Sequence, residues 1–405
     1  MVKRPEILSP AGSLSKLKYA ISYGADAVYV GGEAFSLREA AENFSMDELK
    51  EGIEYAHARG KKVYITANII PHNSDIEDFK VYIKEVADMG ADAAIISDLG
   101  LFDIARTVAP DMDIHISTQA NNVNYASANA WYKMGAKRII VARELSIDEI
   151  KEIRRNIPQD LEIECFVHGA MCISYSGRCL LSNYMTGRDS NLGACAHPCR
   201  WKYHLVEEKR PGEYMPVFEN ERGTFIYNSK DLCMIKHLKE LVEAGVSSLK
   251  IEGRVKTEYY VATVTKAYSD ALNDVIQGNP FNEKNYEELK KVSHREYTTG
   301  FFFGKPDGNQ QIYTDSSYIR YYDLVGIVKG YNKDNKMLEV EQRNKFKVGD
   351  TIEILRPEGD YLTIKVDKMF NEKGDEIDSC PHAMMKIYIP CEHNCTENSI
   401  LRKEK

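Results

Sequence analysis

Five cysteines lie in one region of the sequence at spacings that suit metal binding. The first four follow the pattern C-x6-C-x15-C-x3-C, and the fifth lies 34 positions further along: Cys172, Cys179, Cys195, Cys199 and Cys233. Thiolates are ligands of zinc ions and of iron–sulfur clusters. In a reducing compartment, clustered cysteines indicate metal binding or catalysis more often than disulfides. The sequence therefore predicts a metal centre or a reactive thiol in this region.

The spacing favours some metal centres over others. Zinc ribbons use two C-x2-C pairs, and neither is present here. Radical SAM enzymes use C-x3-C-x2-C; Cys195 and Cys199 provide the first step, but Lys202 occupies the last position. Irregular spacing in a long loop favours an iron–sulfur cluster, with zinc or unliganded thiols as the alternatives. The other four cysteines are expected to be core residues or too few for a second cluster: Cys165, Cys380, Cys391 and Cys395.

The N-terminal sequence and the net charge suggest where the protein works. MVKRPEILSPAGS contains basic residues, but no apolar run of signal-peptide length follows them. No stretch approaches the roughly 20 apolar residues that a membrane span needs. We expect a cytoplasmic protein with no membrane partner. The net charge of −8 means that any nucleic-acid binding must use a local basic surface.

Alternating strands and helices precede and surround the cysteines. Amphipathic segments that begin with Ser and end with Gly, as capped helices do, separate the apolar segments. This order predicts a TIM-like (β/α)8 barrel of the α/β class over residues 1–277. A doubly wound open sheet is the alternative, but no G-x-G-x-x-G follows the first strand. The eight predicted strands are EILSPAG, DAVYVGG, KVYITAN, DAAIISD, DIHISTQ, RIIVARE, LEIECFVHG and SSLKIEG.

Two further regions complete the predicted organisation. The connection after the seventh strand, residues 169–246, is nearly 80 residues long and holds all five clustered cysteines. Such connections usually have about two to six residues, so this insertion is expected to be functional. Residues 278–320 form a predicted connector. Residues 321–405 alternate apolar and polar positions between turn sequences, which predicts a small antiparallel β-barrel domain.

Polar residues at the ends of the predicted strands form the candidate active site. Active sites of these barrels lie at the carboxyl ends of the strands. Arginine forks suit carboxylates, so we expect a small dicarboxylate ligand. The expected substrate-binding residues are Arg38, Asn68, Gln119, Arg143, Lys250 and Arg254. The candidates for proton transfer are Glu144, Glu164, His168 and Glu252.

The sequence lacks common hydrolase motifs. Ser176 lies in I-S-Y-S-G, so there is no G-x-S-x-G, and H-E-x-x-H is also missing. A protease dyad of Cys172 and His168 is an alternative, but it would leave the other cysteines unexplained.

Several motifs together resemble the peptidase U32 family. They are ECFVHGAMCISYSGRCLLS, LSPAGSLSKLKYAISYGADAVYVGG, STQAN, ARELS, GACAHPCRW, NSKDL, LKIEGR and YTTGFFFG, and they cover nearly the whole chain. The likeness is strongest to the branch of the family that hydroxylates tRNA. It implies conversion of the wobble uridine to 5-hydroxyuridine, with prephenate in place of O2 as the hydroxyl source. Other members hydroxylate a cytidine of ribosomal RNA or a ubiquinone precursor, and the family name reflects reported peptidase or collagenase activity.

The resemblance also implies site residues, a cofactor and partners. Cys172, Cys179 and Cys195 match cysteines that hold a 4Fe–4S cluster. For the fourth ligand the resemblance leaves two candidates, since Cys199 matches the tRNA-hydroxylating branch and Cys233 matches a ubiquinone-pathway relative. We expect Cys199, because it follows Cys195 at a spacing that a loop can wrap around one iron. The implied partners are tRNA, the dicarboxylate prephenate and, in some systems, a second U32 subunit. The basic sequence RNKFK at residues 343–347 is our candidate for binding the RNA backbone. A non-catalytic iron–sulfur RNA-binding protein remains an alternative.

Overall fold

The computed structural model of the chain describes most of both predicted domains. The described residues are 3–32, 34–36, 43–171, 179, 181–188, 195–196, 198, 204–205, 215–216, 230–304 and 319–405. Arg38, Cys172 and Cys199, which the sequence predicts to be functional, lie outside these ranges, as does most of the insertion after the seventh strand.

Eight parallel strands close into a barrel. β1 pairs with β2, each strand through β6 pairs with the next, and β11 joins β7 to β1. The predicted TIM-like barrel is therefore confirmed. Its strands are β1–β7 and β11 of the following set: β1 Glu6–Pro10, β2 Ala27–Val30, β3 Lys62–Ala67, β4 Ala93–Ile96, β5 Asp113–Ile116, β6 Arg138–Ile140, β7 Glu162–Ala170, β8 His204–Leu205, β9 Met215–Pro216, β10 Asp231–Cys233, β11 Ser248–Ile251 and β12 Tyr297–Thr298.

Helices on the outside of the barrel begin and end at residues that stabilise helix termini. Ser45 and Ser146 each form a capping box with the glutamate three positions later. Gly135 and Gly278 adopt positive φ directly after α5 and α9. None of the described helices combines the length and the apolar character needed to cross a membrane. The helices are α1 Leu14–Ser22, α2 Met46–His57, α3 Ile76–Asp88, α4 Leu99–Val108, α5 Tyr125–Met134, α6 Ile147–Arg155, α7 Leu181–Thr186, α8 Leu238–Glu243, α9 Glu258–Gln277 and α10 Glu283–Leu289.

Two short strands extend the barrel sheet beyond β7. β10 pairs antiparallel with the end of β7, with Leu232 opposite Gly169, and β12 pairs with β10. β12 and α10 lie within the predicted connector, and Leu289 and Phe302 from the same segment belong to the barrel core. The segment between the two predicted domains is thus packed against the barrel.

The C-terminal residues form a second, antiparallel sheet, as predicted. Its strand order is β16-β15-β19-β13-β14-β18-β17. A separate apolar core fills this curled sheet, with Val328, Val340 and Ile387 fully buried. The strands are β13 Tyr322–Asn332, β14 Met337–Gln342, β15 Thr351–Leu355, β16 Leu362–Lys365, β17 Phe370–Asn371, β18 Lys386–Pro390 and β19 Ile400–Glu404.

The C-terminal sheet packs against the outer helices of the barrel. The Tyr23 hydroxyl, just after α1, donates to the carbonyl oxygens of Leu355 and Asn398 at 3.0 and 2.9 Å. Leu355 and Ile400 of this sheet belong to the barrel's apolar core. The sheet therefore lies on the flank of the barrel, next to α1.

Candidate active site

A small cavity lies at the carboxyl ends of the barrel strands. Its volume is about 60 Å³. Tyr29, Thr66, Ser117 and Phe166 form parts of its wall. Six of the residues that the sequence predicts for the site also line it: Asn68, Gln119, Arg143, Lys250, Glu252 and Arg254.

Arg254 is held in the cavity wall by two hydroxyl groups. Its Nη1 donates to Ser36 Oγ at 2.5 Å and to Thr66 Oγ1 at 2.9 Å, and the side chain is almost fully buried. A Cβ atom at Gly31 would lie 2.1 Å from this nitrogen, and one at Gly12 would lie 2.0 Å from the Arg254 carbonyl oxygen. The glycines of the PAG and VGG sequences therefore provide the space that the arginine occupies.

Lys250 approaches the cavity from the barrel interior. Its Nζ lies 2.9 Å from Glu164 Oε1, and both side chains are buried. The ammonium group also lies 4.5 Å from the ring centre of Tyr29 and 5.4 Å from that of Phe166, within the range of cation–π attraction. These contacts fix the ammonium group against the wall, where it adds positive charge to the cavity.

A buried ionic network below the cavity was not foreseen from the sequence. Arg138 of β6 contacts Glu6 and Glu164 at 2.8 and 3.0 Å and Glu162 at 2.6 Å. Burial alone would raise the pKa of Glu164, but Lys250 and Arg138 together lower it, so this carboxylate is charged. Glu164 lies below the cavity wall and supports Lys250. Arg138 at the start of β6 and the alternating Glu162 and Glu164 of β7 were the available signal for this interior layer.

Arg143 and Glu144 follow β6. The Arg143 Nη1 donates to the Ala170 carbonyl oxygen at 3.0 Å, and the guanidinium carbon lies 5.2 Å from the Phe166 ring centre. Burial raises the pKa of Glu144, although the neighbouring Arg143 acts in the opposite direction. A carboxyl group with a raised pKa is better suited to donate a proton near neutral pH.

The other side of the cavity is neutral. Asn68 Nδ2 donates to Ser117 Oγ at 3.4 Å, and Ser97 Oγ donates to the Asn68 carbonyl oxygen at 3.3 Å. Among the described residues, no group donates to the buried Gln119 Oε1, and the Asn122 amide also has no hydrogen-bond partner. Buried polar atoms nearly always have partners, so these amides are suited to a polar ligand.

His168 lies outside the cavity lining. A β-bulge shifts the pairing of β7 with β11, so that Lys250 is opposite Phe166 while Ile251 is opposite His168. The imidazole consequently packs among three tyrosine rings, and burial lowers its pKa to about 3. Strict alternation of side chains along the strand would place His168 on the same side as Glu164, so the sequence pattern cannot reveal this change of orientation. The three rings belong to Tyr260, Tyr268 and Tyr297, with centre-to-centre distances of 6.0, 5.4 and 5.4 Å.

Two of the predicted cluster ligands are described, Cys179 and Cys195. Cys179 precedes α7 by two residues. The Ala196 amide, next to Cys195, donates to Ser182 Oγ in the first turn of α7 at 3.0 Å, so the segments that carry the two cysteines are in contact. Both side chains are half-buried. Sulfur ligands on two contacting segments fit an iron–sulfur cluster in ligand type.

Cys233, the alternative fourth ligand, is placed differently. It is buried in β10, where the Tyr268 hydroxyl lies 3.9 Å from its Sγ, and burial raises its pKa to about 11. Within the described ranges, no three Cys, His, Asp or Glu side chains converge closely enough to hold a metal ion. Cys179, Cys195 and Cys233 all belong to those ranges. These three thiols therefore do not form a ready-made ligand set.

The charges around the cavity indicate the class of ligand. Arg143, Lys250 and Arg254 contribute three positive charges to the lining, and Glu252 contributes one negative charge. Guanidinium and ammonium groups bind carboxylates and phosphates through charge-assisted hydrogen bonds. The site is therefore suited to bind an anion, with Glu252 and Glu144 as the nearby acids.

Comparison with known proteins identifies the family. The model of peptidase family U32 matches residues 12–312, and that of the peptidase family U32 C-terminal domain matches residues 320–402. The chain belongs to the peptidase U32 family. The resemblance of the motifs to this family is thus confirmed.

Three U32 relatives carry names that bear on function. The chain is 39% identical to tRNA hydroxylation protein P1 of Bacillus subtilis (strain 168), covering 100% of this chain and 96% of the relative. It is 41% identical to tRNA hydroxylation protein P of Escherichia coli (strain K12), with 96% and 94% covered. The 23S rRNA 5-hydroxycytidine C2501 synthase of the same strain is 36% identical, over 68% of this chain and 40% of that protein.

Proposed function

We propose that this U32 protein hydroxylates the wobble uridine of tRNA to 5-hydroxyuridine, without O2 and with prephenate as the hydroxyl donor. The observation that carries the proposal is an anion-binding cavity at the barrel mouth, in a chain that aligns over nearly its full length with tRNA hydroxylation proteins. The reaction replaces a C–H bond of the base by C–OH, which oxidises the base by two electrons. The donor must accept the same two electrons.

The cavity supports a carboxylate-bearing donor. A volume of about 60 Å³ is enough for about two water molecules. It is also enough for one carboxylate group, but prephenate as a whole is larger. We infer that one carboxylate of the donor enters between Lys250 and Arg254, while the rest of the donor lies outside the cavity. Arg143 is our candidate for the second carboxylate, and Arg38, which lies outside the described residues, remains a predicted contact.

The acids near the cavity are our candidates for proton transfer. Glu252 lines the cavity itself, and the raised pKa of Glu144 suits a group that donates a proton. Glu164 is held between Lys250 and Arg138, so its contribution would be to orient Lys250. His168 would act only through its contact with Tyr268, since its ring lies outside the cavity.

A 4Fe–4S cluster is the proposed cofactor, with Cys172, Cys179, Cys195 and Cys199 as ligands. With four cysteine ligands every iron would be held by a thiolate, so the chemistry such a cluster would supply when bound is electron transfer or a labile sulfur site that activates the hydroxyl donor. The contact between the segment of Cys195 and the start of α7, which follows Cys179 by two residues, supports this ligand set. The buried position of Cys233 favours Cys199 as the fourth ligand.

The proposed macromolecular partner is tRNA. In the predicted basic sequence at residues 343–347, Arg343, Lys345 and Lys347 are exposed while Phe346 is buried in the C-terminal core. This strand end is therefore available to contact phosphates. A second U32 subunit stays a prediction.

The decisive experiment is mass spectrometry of RNA nucleosides from a strain that lacks this gene. We expect 5-hydroxyuridine and its derivatives to disappear from tRNA and to return when the gene is restored. Loss of 5-hydroxycytidine from ribosomal RNA instead would favour the rRNA alternative, which the third relative supports. Unchanged nucleosides in both RNAs would rule out the proposal and leave a peptidase or a non-catalytic RNA-binding protein.

The cofactor proposal has a separate test in the purified protein. Anaerobically purified protein should contain about four irons per chain. Cys179→Ala should lose most of this iron, whereas Cys233→Ala should keep it. Cys380→Ala, in the buried C-terminal core, is the matched control. Zinc in place of iron, or iron loss in Cys233→Ala alone, would contradict the ligand assignment.

A further inference from the structure

Four exposed apolar side chains follow three neighbouring strands of the barrel, whose carboxyl ends surround the cavity. We call this set the apolar rim: Ile70 (40%), Leu99 (57%), Val123 (39%) and Tyr125 (43%). They belong to the connections that follow β3, β4 and β5. These strands are consecutive neighbours in the barrel, so the three connections are adjacent.

The apolar rim is continuous with the cavity wall. Ile70 lies two residues after Asn68, and Val123 lies four residues after Gln119, and both of these polar residues line the cavity. Ser97 links the connections that follow β3 and β4, because its hydroxyl lies 3.3 and 3.4 Å from the carbonyl oxygens of Asn68 and Ile69. A molecule that places one group in the cavity would therefore lie against the apolar rim.

The chemistry of the rim differs from that of the cationic side of the mouth. Residues 68–74 and 117–127 contain no Lys, Arg, Asp or Glu. They do contain exposed amides and an exposed imidazole, including His72, Asn73 and Asn124. Such a surface lacks the cations that phosphates need. Neutral rings with hydrogen-bonding edges, however, can stack on its apolar side chains and bond to its amides.

We propose that the apolar rim binds unstacked bases of a single-stranded RNA loop and thereby presents the target base to the cavity. The proposal rests on the RNA substrate proposed above. A base that is paired and stacked in a helix cannot approach the mouth of a barrel closely, so the target base must first leave the helical stack. Its neighbours in the loop are then unstacked as well, and the rim offers them Tyr125 as a stacking surface and the aliphatic side chains as further contacts.

The test measures binding of the intact protein to two RNA probes. One is a hairpin with the sequence of the tRNA anticodon arm, and the other is the same stem closed as a duplex without a loop. Tyr125→Ala should weaken hairpin binding roughly tenfold, which lies within the range that stacking on an aromatic side chain contributes. Leu99→Ala removes an aliphatic contact and should weaken hairpin binding by a smaller factor. Duplex binding should change little. Val81→Ala, whose side chain on α3 is 59% exposed, is the matched control and should bind both probes like the wild type.

The outcomes separate this inference from the proposed reaction. If both rim variants bind the hairpin as tightly as the wild type and hydroxylation is intact, the proposal for the apolar rim is wrong and the proposed function is unaffected. If the variants selectively lose hairpin binding but the protein modifies no RNA, the proposal for the apolar rim is supported and the proposed function is wrong. A wild-type protein that does not bind the hairpin would overturn the rim directly. A change from oligomer to monomer in Leu99→Ala would instead identify the rim as a self-association surface and overturn the proposal.

Discussion

Two clusters of buried charge within the described ranges differ in what they face. One lies where the C-terminal sheet meets α10. There, Arg402 is fully buried and contacts Glu288 and Glu353 at 2.5 and 2.8 Å, while Lys291 contacts the same two carboxylates at 2.8 and 2.7 Å. Two positive and two negative side chains therefore neutralise one another. This junction cluster joins the two parts of the chain.

The second cluster lies at the barrel mouth and lines a cavity. Lys250 is paired with Glu164, and Arg143, Arg254 and Glu252 are the other charged residues of the lining. Arg254 also donates to the hydroxyl groups of Ser36 and Thr66. Buried charges are costly unless partners compensate for them, and a bound anion can be one of these partners. A charged cluster that lines a cavity is therefore suited to a ligand, whereas a cluster enclosed between a helix and a sheet forms a structural contact.

The largest expected effect is a loss of stability at the junction cluster. Arg402→Ala leaves Glu288 and Glu353 without their buried partner, which should cost about 3 to 5 kcal/mol of unfolding free energy. Urea denaturation of the variant and the wild type measures the difference. Arg343→Ala is the control, because the side chain of this exposed arginine makes only an ion pair with Glu341 and a hydrogen bond to Met384 Sδ among the contacts of the described residues, and an exposed ion pair is worth about 1 kcal/mol at most.

The function of the folded Arg402 variant distinguishes the two clusters further. At a temperature where the variant is folded, its dependence on donor concentration should match that of the wild type. If the variant instead loses much of its donor affinity and little of its stability, the junction cluster belongs to the donor-binding site. The distinction between a structural cluster and a ligand-binding cluster would then be wrong.

A smaller effect is expected at the cavity. Arg254→Lys and Arg143→Lys keep the positive charge but remove the planar fork that matches a carboxylate. Loss of such a charge-assisted pair costs about 2 kcal/mol, or roughly a thirtyfold drop in donor affinity. Hydroxylation of tRNA measured against donor concentration reports this change. Iron content and tRNA binding should remain near wild type, and unchanged donor dependence in both variants would refute the proposed anion site.

The barrel and much of its mouth could be predicted from the sequence, since strand ends share one edge of the barrel. Arg143 and Arg254 were predicted to project from the same face, and the structure brings both to one cavity. The bulge that turns His168 outward depends on pairing between β7 and β11 and leaves no local signal. The contact between Glu288 and Arg402 joins residues more than 100 positions apart, and no short-range pattern encodes it.

The smallest expected effect concerns the pH dependence of the junction cluster. Burial alone would raise the pKa of Glu353, but hydrogen bonding and charge interactions with Lys291 and Arg402 lower it overall. A carboxyl group with a lower pKa in the folded state stabilises the protein above its unfolded pKa, which is about 4.3 for Glu. This contribution is lost as the pH falls through that value toward the depressed folded pKa. The wild type should therefore lose stability below about pH 5.

Glu353→Gln should be less stable than the wild type at neutral pH, and the difference should shrink in acid, because protonation removes the same charge from the wild type. Urea denaturation between about pH 7 and pH 3 measures both curves. Glu372→Gln, at an exposed turn, is the control and should run parallel to the wild type. Glu353 is partly exposed, so solvent screening keeps the effect below that of Arg402→Ala. If the unfolding free energies of the two proteins differ by the same amount at all pH values, the charge of Glu353 does not stabilise the junction cluster. Glu288 would then be the only carboxylate that pairs with Arg402 and Lys291 through its charge.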